Sequence, residues 1–427
     1  MQTPAASHLS LGRILELVIL SLFIIAIPNF EAPSNILYGL FLLTWLINRS
    51  VNQSENFGGP WRAFDSVILI WMLADIFINL ASLYHTHSPA GLLGGIDLLR
   101  YSSVLWMISR SAYSPKQIFI ILSIALLGTL GGLIPAFHAY ISAHYDIDQF
   151  NLKTLGQRNH TAIYLDLIFG VTFSFLLAFW KKTNLALKIL GLIILIILSL
   201  GLLAGASRAA FGAAFSITLF LALIFYSRSK LISFVLTSLI ILASLSTLIF
   251  HPMVLQRQES WEHSGTDPRS CIRHAAILTF EQSPLVGFGS HQYRFAASDA
   301  HIQTWSDLKY KNIPDSARPC FGFAPHAHNL YLNTLAEMGL VGFGALILFL
   351  ISWLVFLIKY YPRPKINPDN LAMALWASAA CALITDAGIG LVNTTIHHAH
   401  GLLSMIILGL ALAYLYRNKK LKIKKII

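Results

Sequence analysis

The sequence carries too little charge to be that of a soluble protein. Only 11% of its 427 residues are charged, whereas 56% are hydrophobic. A soluble domain needs about a quarter of its residues charged to cover its surface, so this chain is expected to lie mostly in lipid. A small-residue cleavage site is also missing after the first apolar stretch, which argues against a removable signal peptide.

Long apolar stretches recur along the whole chain, and most are long enough to cross roughly 30 Å of hydrocarbon. We count twelve, near residues 14–30, 34–48, 64–84, 91–109, 117–139, 161–180, 185–204, 208–226, 231–250, 331–358, 371–394 and 401–416. The sequence therefore predicts an all-α polytopic membrane protein of about twelve transmembrane helices.

The basic residues follow a pattern along these stretches. With the N-terminus placed in the cytoplasm, most of them fall in the inside segments and in the basic tail after residue 416, as the positive-inside rule requires. Both termini are therefore expected in the cytoplasm. These segments also explain the net charge of +11, so no nucleic-acid partner is expected.

The predicted topology leaves a long outer loop, residues 251–328, between helices 9 and 10. This loop is rich in aromatic residues and is expected to fold over the membrane face with short helices rather than to be disordered. It divides the chain into residues 1–250 with helices 1–9, the loop region, and residues 329–427 with helices 10–12 and the basic tail. Cys271 and Cys320 lie in the loop, where they could form a disulfide or stay as buried free thiols.

Histidines on the predicted outer side fall into three groups. Close pairs of histidines can indicate zinc, but the usual Cys or carboxylate partners and the His-Glu-x-x-His pattern are absent, so no metal is expected. The groups are His326 with His328, His397 with His398 and His400, and the isolated His160. The 397–400 group has no predicted role.

His328 opens the tenth predicted span. It lies eleven residues before Gly339, close to three helical turns, so the two residues are expected to share a helix face. Gly342 and Ala345 would extend a stripe of small residues that lets another helix approach closely. A neutral imidazole at this outer lip can accept a proton from a hydroxyl group; a histidine that only caps or packs the helix is the alternative.

Arg208 follows a tight turn predicted near residues 205–208. Gly201, Gly205 and Ala209 repeat every four positions, which is typical of closely packed helices. An arginine in that setting needs an anionic partner or water. Its guanidinium group could hold phosphate through paired hydrogen bonds, or the side chain could snorkel at a helix end.

Arg269 is the second candidate for binding an anion. Residues 270–282 are expected to form a helix that ends before Pro284 and the following glycines. Arg269 would lie at the start of this helix, and helix N-termini favour anions. Pairing with Asp267 is the alternative.

These three stretches, in this order, resemble the O-antigen ligase family. The matches are Ser207-Arg208-Ala209, Arg269 fifteen residues before the Pro-Leu-Val-Gly-Phe-Gly of residues 284–289, and His328-Asn329 with nine residues before Gly339. The last is similar to the family's pattern of His, then Asn, Ser or Gln, nine residues and Gly. The expected layout is also similar, with twelve spans, both termini inside and a large outer loop before the histidine-bearing helix.

The resemblance implies a GT-C-like glycosyltransferase at the periplasmic face of a bacterial inner membrane. The donor would be an O-polysaccharide on undecaprenyl diphosphate and the acceptor a lipid A–core sugar, with no nucleotide sugar, metal or other cofactor. His328 would be the general base, and Arg208 and Arg269 would bind the leaving diphosphate. The transfer would invert the anomeric centre, and grooves between the spans would hold the prenyl tail among the membrane lipids.

Three secondary candidates lie near these motifs. Arg158, at the start of the sixth span, could add to the anion site. His326 and Asn329 flank the proposed base within residues 325–329.

Two further candidates have specific alternatives. Asp386 lies inside the eleventh span, where a carboxylate needs a partner or water. It could orient His328 or an arginine, or it could pair with Arg100 or another membrane-buried polar group. Arg273 could be the family's arginine instead of Arg269, although the offset to residues 284–289 favours Arg269.

Other functions stay open at this point. Within the same superfamily the chain could be an O-antigen polymerase, or a protein O-oligosaccharyltransferase, although the latter usually carries an extra soluble domain. A twelve-span transporter is the alternative of another class, but no internal repeat is present and the notable arginines lie away from the bilayer midplane. A non-catalytic assembly scaffold would tolerate alanine at Arg208, Arg269 and His328. No oligomeric state follows from the sequence.

Overall fold

The computed structural model describes residues 11–51, 58–86, 90–225, 268–293, 326–363 and 369–426. All regular structure within these residues is helical, which confirms the all-α prediction. The helices are α1 (Leu11–Ala26), α2 (Glu31–Val51), α3 (Ala63–Thr86), α4 (Ala90–Ser109), α5 (Pro115–Ser142), a short 3₁₀ turn (Ile147–Gln149), α6 (Arg158–Phe179), α7 (Leu185–Gly205), α8 (Arg208–Phe225), α9 (Pro268–Gln282), α10 (Leu330–Lys359), α11 (Asn370–Leu383) with a π-helical extension (Ile384–Ile389), and α12 (His398–Ile426).

Eleven of the twelve predicted transmembrane stretches coincide with a helix, and the other, near residues 231–250, lies outside the described residues. Within the described part of the chain, eight helices are long and apolar enough to cross a membrane: α3, α5, α6, α7, α8, α10, α11 with its π-helical extension, and α12. The protein is therefore a multi-pass membrane protein. The total of twelve spans, the outer loop and the division of the chain into three parts stay predictions.

Helices α6, α11 and α12 form the interior of the bundle. Their apolar segments are 83%, 78% and 89% buried, against 22% for α7, so the surrounding helices separate them from lipid. Gly170 allows α6 to approach α11, because a Cβ at this position would lie 2.7 Å from the Cβ of Cys381. Gly409 allows the same close approach of α12 to α4, where a Cβ would lie 2.9 Å from Ile108.

One end of the bundle holds buried ion pairs. Arg49 pairs with Glu16 at 3.0 Å and Arg110 pairs with Asp65 at 2.8 Å. The pairing offsets the cost of placing these charges between helices. Helix α4 ends next to Arg110, so its first turn lies at the opposite end, which carries the candidate site.

Helix α10 is interrupted at Gly339. This glycine has φ +58° and ψ −161°, a backbone conformation that is essentially restricted to glycine. A Cβ here would also overlap the backbone of Leu285. The prediction that His328 and Gly339 share one helix face is wrong, because His328 precedes the N-cap residue Asn329 and the helical backbone is interrupted at Gly339 itself.

Residues 284–289 fill the break in α10. The Leu340 amide donates to the Pro284 carbonyl at 2.8 Å, and the Gly289 amide donates to the Glu337 carbonyl at 2.8 Å. Gly287, with φ +65°, lies so close to residues 337–338 that a side chain would overlap their backbone. Because a break in a helix leaves amides and carbonyls without partners, this segment supplies what the broken helix lacks.

We expect Gly339→Ala to destabilise the protein. The substitution places a side chain in a conformation that only glycine adopts freely and against the backbone of Leu285, so the free energy of unfolding should fall by about 2 kcal/mol or more. Gly344→Ala is the matched control, since Gly344 lies on the same helix with open space around it and alanine favours helices. Thermal unfolding in detergent micelles would measure both. Equal melting temperatures for the two variants would contradict the structural role of the break.

Candidate active site

Seven histidines from four parts of the chain meet at the end of the bundle opposite the ion pairs. We call them the histidine cluster: His160 in α6, His291 after α9, His326 and His328 before α10, and His397, His398 and His400 at the start of α12. Ring centroids are 4.3 Å apart for His326 and His328, 5.3 Å for His160 and His326, 5.1 Å for His160 and His400, and 4.8 Å for His291 and His397. The three predicted histidine groups are thus one structural unit, and His291, which follows the glycines at 287 and 289, is an unpredicted member.

Two histidines of the cluster that lie outside the spans, His326 and His397, have lowered pKa values, because their surroundings disfavour the charged form. Burial, together with the neighbouring His328 and His160, lowers the pKa of His326 to about 2. Burial and the neighbouring histidines also hold the pKa of His397 well below its ordinary value. Among the described residues, no group of three or more His, Cys, Asp or Glu side chains is arranged to hold a metal ion.

His328 lies at the edge of the cluster. It has a left-handed backbone conformation with φ +47° and is partly exposed, whereas His326 is 4% exposed. A partly exposed imidazole next to a buried one is accessible to a hydroxyl group from outside. This arrangement suits the predicted role of His328 in proton transfer.

Asn329 fixes the start of α10 directly after His328. Its side-chain oxygen accepts a hydrogen bond from the Leu332 amide at 2.9 Å, and its Nδ2 donates to the Leu391 carbonyl at 2.7 Å. The Leu330 amide donates to the Gly390 carbonyl at 2.7 Å. Asn329, a secondary candidate by sequence, therefore caps α10 and ties it to the turn that follows the π-helical segment.

Buried polar residues of α3 hold the loop that carries His291. Ser290 donates from its hydroxyl to Asp75 at 2.7 Å and from its amide to Asn79 at 2.9 Å, while Ser82 donates to the Phe288 carbonyl. These residues were not predicted from the sequence. The available signal was the spacing of Asp75, Asn79 and Ser82, at steps of four and three, which places them on one face of a helix whose residues 67–83 are otherwise apolar.

The arginines at the starts of α6 and α8 lie near each other. Arg208 is the exposed first residue of α8, and Ala206 before it has φ +45°, which confirms the predicted tight turn. A Cβ at Gly205 would lie 3.6 Å from the Arg158 carbonyl oxygen, so the turn packs against the first residues of α6. His160, two residues after Arg158, belongs to the histidine cluster and lies next to His326. The start of α6 thus links the turn before Arg208 to the cluster.

Arg158 is engaged by a carboxylate. Its Nε lies 3.4 Å from an oxygen of Asp148, and its side chain is 15% exposed whereas that of Asp148 is 66% exposed. To add to an anion site, as the sequence suggests, Arg158 would exchange this surface partner for the ligand.

Arg269 is the second residue of α9, as predicted, and its side chain lies outside the described residues. One turn later, Ile272 packs against a small apolar cluster that includes Tyr293, Ala327 and Ala336. The start of α9 is thus brought beside the His326–His328 segment. Arg273 is exposed. The possible disulfide between Cys271 and Cys320 falls outside the described residues.

Asp386 serves the packing of α11 against α12. It is fully buried in the π-helical segment and accepts a hydrogen bond from the Ser404 hydroxyl. Thr395 donates to its backbone carbonyl at 2.6 Å. Arg100 instead contacts Asn35 and lies 3.9 Å from Asp97. Asp386 therefore pairs with another buried polar group, Ser404, as the second form of the alternative had it, and not with Arg100.

A cavity of about 60 Å³ adjoins the histidine cluster, which is room for about two water molecules. Its polar lining includes Ser290, His291, Asn333, Glu337, Thr394 and His397. Because His291 and His397 belong to the histidine cluster, the cavity borders the candidate site.

Residues 192–347 match a protein family described as O-antigen ligase. The matched segment contains Arg208, Arg269, residues 284–289, and His328 with Gly339. The resemblance drawn from the motifs is therefore confirmed. No curated protein matches the chain.

We expect the protein to lose stability as the pH falls below about 6.5, the ordinary pKa of histidine. His326 takes up a proton in the unfolded chain but stays neutral in the folded protein, where its pKa is about 2. Acid therefore favours the unfolded state, by about 1.4 kcal/mol per pH unit for this group. Melting temperatures in detergent at pH 8 and pH 5 should differ more for the wild type than for His326→Asn.

The control for this comparison is His138→Asn. His138 is an exposed residue of α5, so its removal should leave the pH dependence of the wild type intact. If the melting temperature of His326→Asn had the same pH dependence as that of the wild type, the conclusion that His326 stays neutral in the folded protein would be wrong.

Proposed function

On the premise that residues 192–347 match the O-antigen ligase family, we propose that the protein is an O-antigen ligase. It transfers O-polysaccharide from undecaprenyl diphosphate to a sugar of lipid A–core. The observation that carries the proposal is that the family match spans all three motifs predicted to hold the chemistry, which centre on Arg208, Arg269 and His328.

The proposed reaction is a direct displacement. The acceptor hydroxyl attacks the anomeric carbon of the donor, the bond from that carbon to the diphosphate oxygen breaks, and undecaprenyl diphosphate leaves with the electron pair. His328 takes the proton from the hydroxyl. Because attack occurs opposite the leaving group, the anomeric configuration inverts.

Arg208 and Arg269 bind the diphosphate and neutralise its charge as it leaves. Support comes from the exposure of Arg208 at the first residue of α8 and from the packing of Ile272 in α9 against the apolar cluster that includes Ala327. A diphosphate is a good leaving group, so positioning and charge neutralisation are the main tasks of the protein. Neither a metal nor another cofactor is part of the proposed mechanism.

We place the site at the periplasmic face of the inner membrane, with both termini in the cytoplasm. The support is the asymmetry between the two ends of the bundle. One end holds Arg49 and Arg110 in ion pairs, where the positive-inside rule favours the cytoplasm, and the other end holds the histidine cluster. The prenyl tail of the donor would lie along lipid-facing grooves between the helices.

Glycan transfer by the purified protein tests this proposal. Prenyl-diphosphate-linked glycan and lipid A–core are mixed with protein in detergent, and glycan-capped lipid A–core is measured by gel electrophoresis. We expect His328→Ala to lower the rate by about 100-fold or more, and Arg208→Ala and Arg269→Ala to lower it by about 100-fold each. A chelator should leave the wild-type rate unchanged.

Lys153→Ala is the matched control for the arginine variants. Lys153 is an exposed cation just before α6, so it should keep the wild-type rate. Extended glycan without lipid A–core acceptor would identify a polymerase, and transfer only to polypeptide would identify a protein ligase. Full activity of His328→Ala would exclude His328 as the base.

A further inference from the structure

We propose that Glu337 is a positioning residue, which sets the spacing between the arginine-bearing start of α9 and the His326–His328 segment. The inference deepens the proposed function, since it concerns the arrangement of the same site. It rests on an unbroken series of hydrogen bonds that runs from α9 through Glu337 to the backbone beside His328.

The first half of the series joins α9 to Glu337. The Tyr293 hydroxyl donates to the Ile272 carbonyl at 2.9 Å, in the first turns of α9 and three residues after Arg269. The Tyr293 amide donates to Oε1 of Glu337 at 3.0 Å. Tyr293 is thus held at both its hydroxyl and its amide.

The second half joins Glu337 to the histidine segment. Asn333, one turn earlier in α10, donates from Nδ2 to Oε2 of Glu337 at 2.8 Å. Its Oδ1 accepts from the Ala327 amide at 2.9 Å. Ala327 is the residue between His326 and His328, so the series ends on the peptide that presents the proposed base.

Water cannot readily replace these bonds. Glu337 is 6% exposed, Asn333 8%, Tyr293 1% and Ala327 0%. A buried donor or acceptor that loses its partner bears the full cost of its desolvation. The series therefore holds both ends at one separation.

The direction of the bonds requires an acceptor at both oxygens of residue 337. The backbone amide of Tyr293 and the Nδ2 of Asn333 are both donors. The side-chain amide of Asn333 cannot flip, because its NH₂ group would then face the backbone N–H of Ala327, which is also a donor. A carboxylate accepts both bonds. Glutamine would present an NH₂ group to the NH₂ group of Asn333, so the isosteric substitution breaks the series at one identified bond.

The consequence is catalytic because the reacting groups must be held closely. An error of about 1 Å in their placement can cost about 100-fold in rate. Glu337 touches no reacting atom in the proposed mechanism, so its loss should lower kcat while the KM for the donor stays nearly constant.

The test is a pair of single variants and their combination. In Glu337→Gln, the NH₂ group of the introduced glutamine faces the NH₂ group of Asn333. In Asn333→Asp, a carboxylate oxygen of the introduced aspartate faces a carboxylate oxygen of Glu337. In the double variant the introduced glutamine donates from its NH₂ group to the introduced aspartate and accepts from the Tyr293 amide with its oxygen. The aspartate still accepts from the Ala327 amide. Every hydrogen bond of the series is thus restored, and only the bond between residues 333 and 337 has its direction reversed. We expect each single variant to lower kcat by about tenfold or more, and the double variant to lie within about threefold of the wild type.

Hydrogen exchange of the Ala327 and Tyr293 amides gives a readout that does not depend on activity. Exchange should be faster in each single variant and slow again in the double variant. Unchanged exchange in Glu337→Gln, or a double variant as impaired as the worse single variant, would overturn the proposal. If the wild type transferred no glycan, the ligase function would fail, and amide exchange alone would decide whether the series of bonds exists.

Glu281→Gln is the matched control. It makes the same substitution at an exposed position of α9, outside the series of hydrogen bonds. Its kcat and the exchange of both amides should equal those of the wild type. If Glu281→Gln lowered kcat as much as Glu337→Gln does, the loss would not be specific to residue 337. That result would overturn the proposed role of Glu337.

Discussion

Helix α10 is broken at Gly339, and the end of the bundle that carries the histidine cluster is organised around the backbone groups that this break exposes. Inside a membrane protein an amide or carbonyl without a partner costs several kcal/mol. The chain meets that requirement with its own residues 284–289, which bond to both sides of the break. The segment can do so only because Gly287 and Gly289 adopt positive φ angles where side chains would overlap their neighbours.

This constraint explains why motifs about fifty residues apart in the sequence occur together. The glycines of residues 284–289 and Gly339 form the two sides of one backbone junction. The junction fixes α9 against α10, and the histidine segment is then tied to both helices. The proposed arginine and the proposed base thus belong to elements that are locked together before any substrate binds, which is the preorganisation that electrostatic catalysis requires.

The sequence predicted the helices well and the site only in part. The lengths of the apolar stretches and the basic residues between them located eleven helices. The turn before Arg208 and the helix that carries Arg269 were also predicted correctly, because such features depend on local sequence patterns. The break at Gly339 was missed, since a glycine followed by small residues at helical spacing also fits a continuous helix. The histidine cluster was not foreseen as one unit, because it joins four distant parts of the chain through tertiary packing. The polar face of α3 was visible in its spacing, but its partner, Ser290, was not.

The break also limits how the chain can vary in length. The stretch from His328 to Gly339 is held at one end by the turn at Gly390 and at the other by residues 284–289. One added residue would rotate everything beyond it by about 100° and place either Gly339 or Asn333 away from its partner. We therefore expect homologous proteins to have no insertions or deletions between the positions of His328 and Gly339.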